Sequence, residues 1–179
     1  MMRIIKAATP MILLCVGPMI FLGCANNPAD GYSFSSGYPE DVRTVAVPIW
    51  NVGKNVYRRE IEFRLTEALV KRVELDTPYK VAAKTDADTL LTGTVDNISQ
   101  RVLSTNPDTG LPREMEMTIT VSFEWTDLRS GEIRADRSNV RVSGTYVPHE
   151  PLSEDFFTGS EDVINRLARR IVEQMESDW

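Results

Sequence analysis

The sequence predicts an α+β fold, a two-layer sandwich of two amphipathic helices on one mostly antiparallel sheet of four to five strands. In segment 114–125, apolar and polar residues alternate without a break, as in a half-buried antiparallel strand. Apolar residues recur with a helical period in two other segments, near 58–75 and 161–175. Two such helices need the apolar face of one sheet, so we expect the order β-α-β-β-β-β-α.

The first half of the predicted domain is one strand followed by one helix. Residues 42–50 are apolar and β-branched, and Pro48 ends this strand or confines it to a sheet edge. The helix follows, with Asn55 as its candidate cap and its end between Asp76 and Pro78. Its apolar residues lie four apart: Ile61, Leu65, Leu69 and Val73.

Four strands are expected next. Residues 79–83 form a short one and 88–104 a longer one, and the alternating segment comes third. The dipeptide Ser130-Gly131 then turns the chain back. In the returning strand the alternation changes from odd to even positions near 136–139, which predicts a bulge. The buried face of the third strand is predicted to carry Met115, Met117, Ile119, Val121, Phe123 and Trp125.

The last predicted element is a C-terminal amphipathic helix. Ser160 is its candidate N-cap, and Glu161 and Asp162 suit the positive end of a helix dipole. Its apolar stripe consists of Val163, Ile164, Leu167, Ala168, Ile171, Val172 and Met175.

The N-terminal segment is typical of an exported protein. Arg3 and Lys6 precede an uncharged, mostly apolar run, 11–23, which is shorter than the ~20 residues of a bilayer-spanning helix. A basic start, a short apolar centre and small Gly23 before the cut indicate a signal peptide over residues 1–23. Cleavage there would make Cys24 the first residue of the mature chain.

The stretch Phe-Leu-Gly-Cys that ends at Cys24 resembles the lipobox of bacterial lipoproteins. The resemblance implies a diacylglycerol on the Cys24 sulfur, an N-acyl lipid on its amine and a protein anchored to the membrane by lipid. Cleavage elsewhere, or Cys24 kept as a free thiol, are the alternatives. Cys15 lies in the leader, so a free Cys24 would have no disulfide partner in an oxidising compartment.

The mature chain is predicted to consist of a tether and one domain. Residues 24–40 are rich in Asn, Pro, Gly and Ser, which predicts a flexible tether. Residues 41–179 have the length of a single domain. The chain has 20 basic and 26 acidic residues, so it lacks the electrostatic footprint of a nucleic-acid-binding protein.

No segment predicts an active site, a metal site or a cofactor other than the lipid on Cys24. The one histidine, His149, lies in a proline-containing loop and has no second histidine or mature cysteine for a zinc site. Glu114, Glu116 and Glu124 share a strand face, which is typical of a solvated surface. A hydrolase of envelope glycans that uses paired carboxylates is the enzymatic alternative.

Arginines on or beside the predicted meander are the candidate contact residues. A guanidinium binds phosphate through two parallel hydrogen bonds, whereas the competing interpretation is a solvated strand face of mixed charge. Arg101, Arg113, Arg129 and Arg134 are the main candidates, and Arg137 and Arg141 belong to the same group.

Several stretches together resemble the LptE family, the outer-membrane lipoproteins of lipopolysaccharide assembly. They are GYSF after Cys24, VRTVAVPIWNVGKN, LTEALVKRV, DTPYKV, ADTLLTGTV and WTDLRSGE, in the family's order. The resemblance implies two helices on a four-stranded sheet and no enzymatic activity. It also implies a plug and folding partner inside a large LptD-like β-barrel, in contact with lipopolysaccharide.

The resemblance also implies an outer-membrane location, facing the periplasm. Asn26, two residues beyond Cys24, is compatible with export to that membrane. The alternative is a periplasm-facing adaptor, similar to the TolB N-terminal domain or the curli secretion lipoprotein, that binds a protein partner without lipopolysaccharide.

Overall fold

The computed structural model describes residues 37–54, 56–57, 60–148 and 156–176. The predicted signal peptide, Cys24, Asn55 and His149 lie outside the described residues. The described residues form six strands and two helices. In chain order these are β1 (Thr44–Ala46), β2 (Asn51–Val52), α1 (Ile61–Asp76), β3 (Lys80–Val81), β4 (Thr89–Thr105), β5 (Pro112–Asp127), β6 (Ile133–Tyr146) and α2 (Phe156–Glu173).

The sheet is mixed, and its strand order is β3-β1-β4-β5-β6, with β2 paired to β4. β1 runs parallel to β3 and β4, and β2 runs parallel to β4. The α+β sandwich is therefore confirmed, but the sheet has parallel pairings on one side and one strand more than predicted. Pro48 explains the extra strand, because it offers no N–H to a ladder and divides the predicted segment 42–50 from Asn51–Val52.

The three long strands form the antiparallel part of the sheet. β4 pairs with β5 from Thr89–Asp127 to Thr105–Pro112, and β5 pairs with β6 along most of its length. The predicted alternation along β5 is confirmed. Five of the six predicted core residues are buried, and Met115 is partly buried; the five are Met117, Ile119, Val121, Phe123 and Trp125.

The predicted turn and bulge in the β5–β6 hairpin are both present. Gly131 has a φ of 75° in the turn, a left-handed conformation that glycine adopts without strain. One residue of β5, Ser122, faces two residues of β6, Ser138 and Asn139. Asn139 has a φ of 63°, which asparagine tolerates better than most residues. Because the bulge adds one residue to β6, the side chain of Val140 points towards the core although the alternation has changed from odd to even positions.

Both helices bury the predicted stripes against one face of the sheet, but both begin at other residues than predicted. α1 begins at Ile61 with Glu60 as N-cap, so the assignment of Asn55 as cap is wrong. α2 begins at Phe156, which places Ser160 inside the helix and buries it, so Ser160 is not the cap. Glu161 and Asp162 consequently lie beyond the first turn.

Packing explains the early start of α2. A Cβ at Gly159 would lie 2.6 Å from the ring of Tyr146, so the first turns of the helix rest directly on β6. This contact stabilises the helical residues that precede Ser160, the predicted cap.

The folded domain also includes residues that the sequence assigns to the tether. Tyr38 is 9% exposed and packs edge-on against buried Tyr79, with 5.7 Å between ring centroids. The core therefore includes Tyr38, so the predicted tether of residues 24–40 overlaps the folded domain.

Candidate functional site

One face of the sheet is left uncovered by the two helices. We call this surface the open face: Asp96, Asn97, Ser99, Thr118, Thr120, Ser122, Ser138, Asn139 and Arg141, which line a shallow depression. Hydroxyl groups predominate, and two of them form hydrogen bonds to neighbouring side chains. The Ser122 hydroxyl donates to Asp96 at 2.7 Å, and the Thr118 and Ser143 hydroxyls lie 2.7 Å apart. The open face is a hydrated, polar surface, as the alternation in β5 predicts.

Charged side chains gather at the end of the sheet where β1 and β4 begin and β5 ends. We call this group the Asp127 cluster: Asp41, Asp88, Asp127, Arg129 and Arg134. The Arg134 Nη2 atom donates to Asp127 Oδ2 at 2.8 Å, and Nη1 donates to Asp41 Oδ1 at 3.2 Å. Arg129 Nη2 donates to the Asp41 carbonyl at 3.1 Å.

Asp127 is the centre of this cluster. Its side chain is 5% exposed, and its Oδ1 atom accepts the backbone N–H groups of Arg129 and Ser130 at 2.8 and 3.1 Å. The Arg134 hydrogen bond, followed by these two backbone bonds, holds the pKa of Asp127 far below its usual range. The same guanidinium lowers the pKa of Asp41. The carboxyl groups of Asp127 and Asp41 are therefore ionised at neutral pH.

Asp88 fixes the start of β1 in the same region. Its Oδ2 atom accepts the backbone N–H groups of Arg43 and Thr44 at 3.0 and 3.1 Å. The bond from Arg43 is the main cause of the lowered pKa of Asp88. Arg134 also lies over the Trp125 ring, 5.6 Å from the guanidinium carbon to the centroid. The cluster thus ties residues 41–44 to the sheet.

The β4–β5 hairpin lies at the opposite end of the sheet. Arg101 donates to Glu116 at 2.9 Å and is 71% exposed. Arg113 is exposed, and among the described residues it has no ion pair. Between them lie three aliphatic residues that are each at least 40% exposed, Val102, Leu103 and Leu111. This end combines guanidinium groups with exposed apolar side chains.

The four main arginine candidates therefore form two separate groups. Arg129 and Arg134 belong to the Asp127 cluster, where their hydrogen bonds are satisfied within the domain, so the structure favours a structural role for them. Arg101 and Arg113 lie at the far hairpin. Glu116 and Asp127 are eleven residues apart on one strand, or roughly 36 Å. No single ligand headgroup contacts both groups.

The sequence analysis missed the three aspartates of the Asp127 cluster. The Asp-Leu-Arg-Ser-Gly stretch carries a signal for Asp127, because aspartate before a turn accepts N–H groups two and three residues on. No comparable signal exists for Asp41 and Asp88, which reach the cluster only through the parallel pairing of β1 with β4.

The carboxylates on the β5 face take part in local contacts. Glu116 pairs with Arg101, and Glu124 accepts the Thr126 hydroxyl at 2.6 Å. In the described part of the chain, no group of three or more His, Cys, Asp or Glu residues is placed to hold a metal ion. Within the same residues, no helix is long and apolar enough to cross a bilayer.

A mixed sheet with two helices on one face and a hydroxyl-rich open face places the chain in the class of small two-layer α+β domains. The model of the lipopolysaccharide-assembly family, LptE, matches residues 42–179. The chain belongs to this family, and the resemblance found in the sequence is confirmed. LptE proteins are lipoproteins of lipopolysaccharide assembly without enzymatic activity. No curated protein sequence matches the chain.

Several solved structures are similar to this chain. The hypothetical protein CT253 from Chlamydia trachomatis is similar with a TM-score of 0.50 and 10% identity, over 74% of this chain and 94% of that one. A minor lipoprotein from Acinetobacter baumannii has a TM-score of 0.48 and 14% identity, over 75% and 93%. The rare lipoprotein B from Shewanella oneidensis has a TM-score of 0.45 and 18% identity, over 74% and 93%.

Proposed function

We propose that this protein is a lipid-anchored lipoprotein of the outer membrane, facing the periplasm, that plugs and helps to fold a large LptD-like β-barrel. We further propose that it contacts lipopolysaccharide on its way to the outer leaflet. Membership of the LptE family over residues 42–179 is the observation that carries this proposal.

The open face suits a plug. A protein that fills the lumen of a barrel needs a rigid body and a polar surface towards a polar wall. The core of the described domain supplies rigidity, and the hydroxyl and amide groups of the open face supply hydrogen-bonding partners along three strands. We therefore assign the open face to the barrel wall.

The two ends of the sheet suit two different tasks. Asp41, near the start of the described residues, lies in the Asp127 cluster, so a lipid on Cys24 would hold this end towards the membrane. β4 spans 17 residues, or roughly 55 Å, and carries the chain to the opposite end. The β4–β5 hairpin is therefore the part of the domain that reaches farthest from the anchored end.

The hairpin is our candidate for the lipopolysaccharide contact. Lipopolysaccharide combines phosphate groups with acyl chains, and the hairpin combines Arg101 and Arg113 with exposed Val102, Leu103 and Leu111. Arginine binds phosphate through charge-assisted hydrogen bonds. Arg113 is the stronger candidate, because a phosphate at Arg101 has to compete with the carboxylate of Glu116.

Affinity purification of the tagged full-length protein from gently solubilised membranes, with mass spectrometry, tests the partner. We expect a large β-barrel protein in about equal amount. Recovery of a soluble periplasmic complex in its place would contradict the plug and support the adaptor function.

Binding of fluorescently labelled lipopolysaccharide to the purified full-length protein tests the hairpin. The double variant Arg101→Glu, Arg113→Glu should bind roughly tenfold more weakly, because two charge-assisted contacts are lost. Exposed Lys84 lies outside the hairpin, so Lys84→Glu and a second reversal, Lys54→Glu, together match the change in charge. Equal binding by both double variants would contradict the assignment of the hairpin.

A further inference from the structure

An exposed apolar surface lies where β2 leads into α1. We call it the β2–α1 patch: Ile49, Val52, Tyr57 and Phe63, which are between 37% and 91% exposed. The Gly53 N–H donates to the Val95 carbonyl at 2.8 Å. The Trp50 N–H donates to the Thr66 hydroxyl at 3.1 Å. The segment that carries the patch is therefore tied to both β4 and α1.

The size of the patch argues against a second copy of the chain as its partner. Two partly exposed aromatic rings and two partly exposed aliphatic side chains offer on the order of 500 Å² of apolar surface. A stable interface between two proteins buries roughly 800 Å² on each partner. The patch falls short of that area, whereas a lipid surface takes up exposed apolar side chains without a matching partner surface.

The side chains of the patch suit the boundary between lipid headgroups and acyl chains. Tyr57 is 91% exposed and combines an apolar ring with a polar hydroxyl, and tyrosine is enriched at membrane–water interfaces for this reason. Ile49, Val52 and Phe63 carry no polar group. They can enter the acyl region while the Tyr57 hydroxyl stays among the headgroups.

Charge near the patch is balanced, so it does not select an anionic partner. Segment 49–64 and the residues beside it contain four basic and four acidic side chains: Lys54, Arg58, Arg59, Arg64, Glu60, Glu62, Asp96 and Glu161. Glu67 and Lys71, which also border Arg64, form an ion pair with each other. The apolar side chains therefore have to supply the affinity, and binding should depend little on salt.

The length of the chain before Gly37 lets the patch reach the membrane that would hold the lipid anchor. Gly37 lies beside Glu176. The next residue, Tyr38, shares a depression with Asp76 at the end of α1. The patch is at the other end of this 16-residue helix, about 24 Å away. From Cys24 to Gly37 the chain spans up to roughly 45 Å. An anchored domain can therefore lie along the bilayer.

We propose that the β2–α1 patch docks the domain on the surface of a lipid bilayer, with Tyr57 at the headgroups and Phe63 and Ile49 in the acyl region. This docking rests on the lipid anchor of the proposed function, which keeps the small patch close to the bilayer. A domain inside a barrel is shielded from lipid, so the docked state belongs to protein outside a barrel.

A polarity-sensitive dye at position 57 tests the docking. The full-length variant Tyr57→Cys, purified with its lipid and placed in phosphatidylcholine vesicles, should have one reactive thiol, because Cys15 lies in the predicted leader and Cys24 would carry the lipid. We expect quenching of the dye by brominated lipid, equally at low and high salt. Its emission should be several-fold stronger than from Thr145→Cys, an exposed position on β6 at the other edge of the sheet. Equal signals from the two positions, or loss of the signal at high salt, would overturn the proposal.

A second substitution tests which side chains hold the domain. Phe63→Ser, added to the labelled Tyr57→Cys protein, should abolish most of the quenching. Leu75→Ser, on the same helix but outside the patch, should leave it unchanged. Denaturant unfolding reports whether each variant is folded, and Ile49→Ser replaces Phe63→Ser if the latter is not. Equal quenching in both variants would contradict the role of the patch.

Flotation of the vesicles separates this docking from the proposed function. Protein that floats while the dye at position 57 stays in water retains its anchor and overturns the docking alone. Protein that does not float has no anchor, which contradicts the proposed function and the docking together. A dye signal that rises with the density of protein, without quenching by lipid, would identify a second copy as the partner and overturn the proposal.

Discussion

The guanidinium of Arg134 lies between the carboxylate of Asp127, 2.8 Å from Nη2 to Oδ2, and the ring of Trp125, 5.6 Å from the centroid. It also bonds to Asp41, next to the start of β1. One side chain on β6 therefore joins the last residue of β5 to the segment that precedes β1.

Loss of the Asp127 charge should destabilise the domain at neutral pH. The pKa of Asp127 is lowered in the folded state, so its contribution is present above the unfolded pKa and is lost as the pH falls below about 4. Asp127→Asn should unfold several degrees lower at pH 7 and show a weaker acid dependence between pH 4 and 2. Thermal unfolding, measured at pH 7 and between pH 4 and 2, tests both effects.

Asp108→Asn is the matched control, because Asp108 is an exposed turn residue in the other hairpin. It should retain the stability and the acid dependence of the unchanged protein. An Asp127→Asn variant with unchanged stability at pH 7 would show that the cluster contributes little.

Alkaline unfolding should depend on Tyr38. Burial, followed by the negative charge of Glu176, raises the pKa of Tyr38 to about 12. A raised folded pKa means that stability is full below the unfolded pKa, about 10, and is lost as the pH rises towards 12. Tyr38→Phe should reduce this loss, and denaturant unfolding between pH 9 and 12 measures it. Tyr57→Phe, at a site 91% exposed, should leave the profile unchanged.

Gly93→Ala should disrupt the contact between β4 and the segment before β2. A Cβ at Gly93 would lie 2.5 Å from Trp50, whose indole also stacks on Phe123 at 6.4 Å. Overpacking of this kind costs about 1–3 kcal/mol, which denaturant unfolding detects. At Gly37 a Cβ would meet only the flexible side chain of Glu176 at 3.4 Å, so Gly37→Ala should be close to neutral. Equal stability of the two variants would contradict the packing argument.

Two leucines of α1 should respond very differently to truncation. Leu69 is fully buried between the helices and the sheet, whereas Leu75 is 76% exposed near the end of the same helix. Leu69→Ala should lower the free energy of unfolding by about 2–5 kcal/mol through the lost contacts and the cavity. Leu75→Ala should change it by less than about 0.5 kcal/mol. A large loss with Leu75→Ala would mean that this exposed residue has a partner.

The lipid anchor predicts the location of a cysteine variant. Cys24→Ala should leave the domain folded but release it from the membrane fraction, because the acylated residue is gone. Fractionation with immunoblotting measures the release, and Cys15→Ala, within the predicted leader, should stay membrane-bound. A Cys24→Ala protein that remains firmly in the membrane fraction would refute the lipid-anchor prediction.

The elements with regular periods could be predicted from the sequence, and those decided by tertiary contacts could not. The alternation in β5 and the helical stripes follow from local side-chain period, and both agree with the structure. β2 is a two-residue pairing without a period of its own. The start of α2 depends on the contact between Gly159 and Tyr146, and the polar residue Ser160 gives no sign of it.

The candidate site likewise has one part that could be predicted from the sequence and one part that could not. The candidate arginines lie on or beside the meander, as the sequence predicts, but the residues they contact could not be predicted. The Asp127 cluster assembles from segments at 41, 88, 127 and 134, which only the strand order brings together. Neither the composition nor a local motif indicates this strand order.

The position of β1 has a consequence for the order in which the chain can fold. β1 is the first strand along the sequence, yet it lies between β3 and β4, which both follow it. When the chain leaves a translocation channel from its N-terminus, β1 has no paired strand until Val81 has emerged, and it lacks its second neighbour until Leu90 has emerged. β1 therefore completes its pairing only after later parts of the chain have been delivered. The sheet around β1 closes after that point, so the folding of this region follows its export.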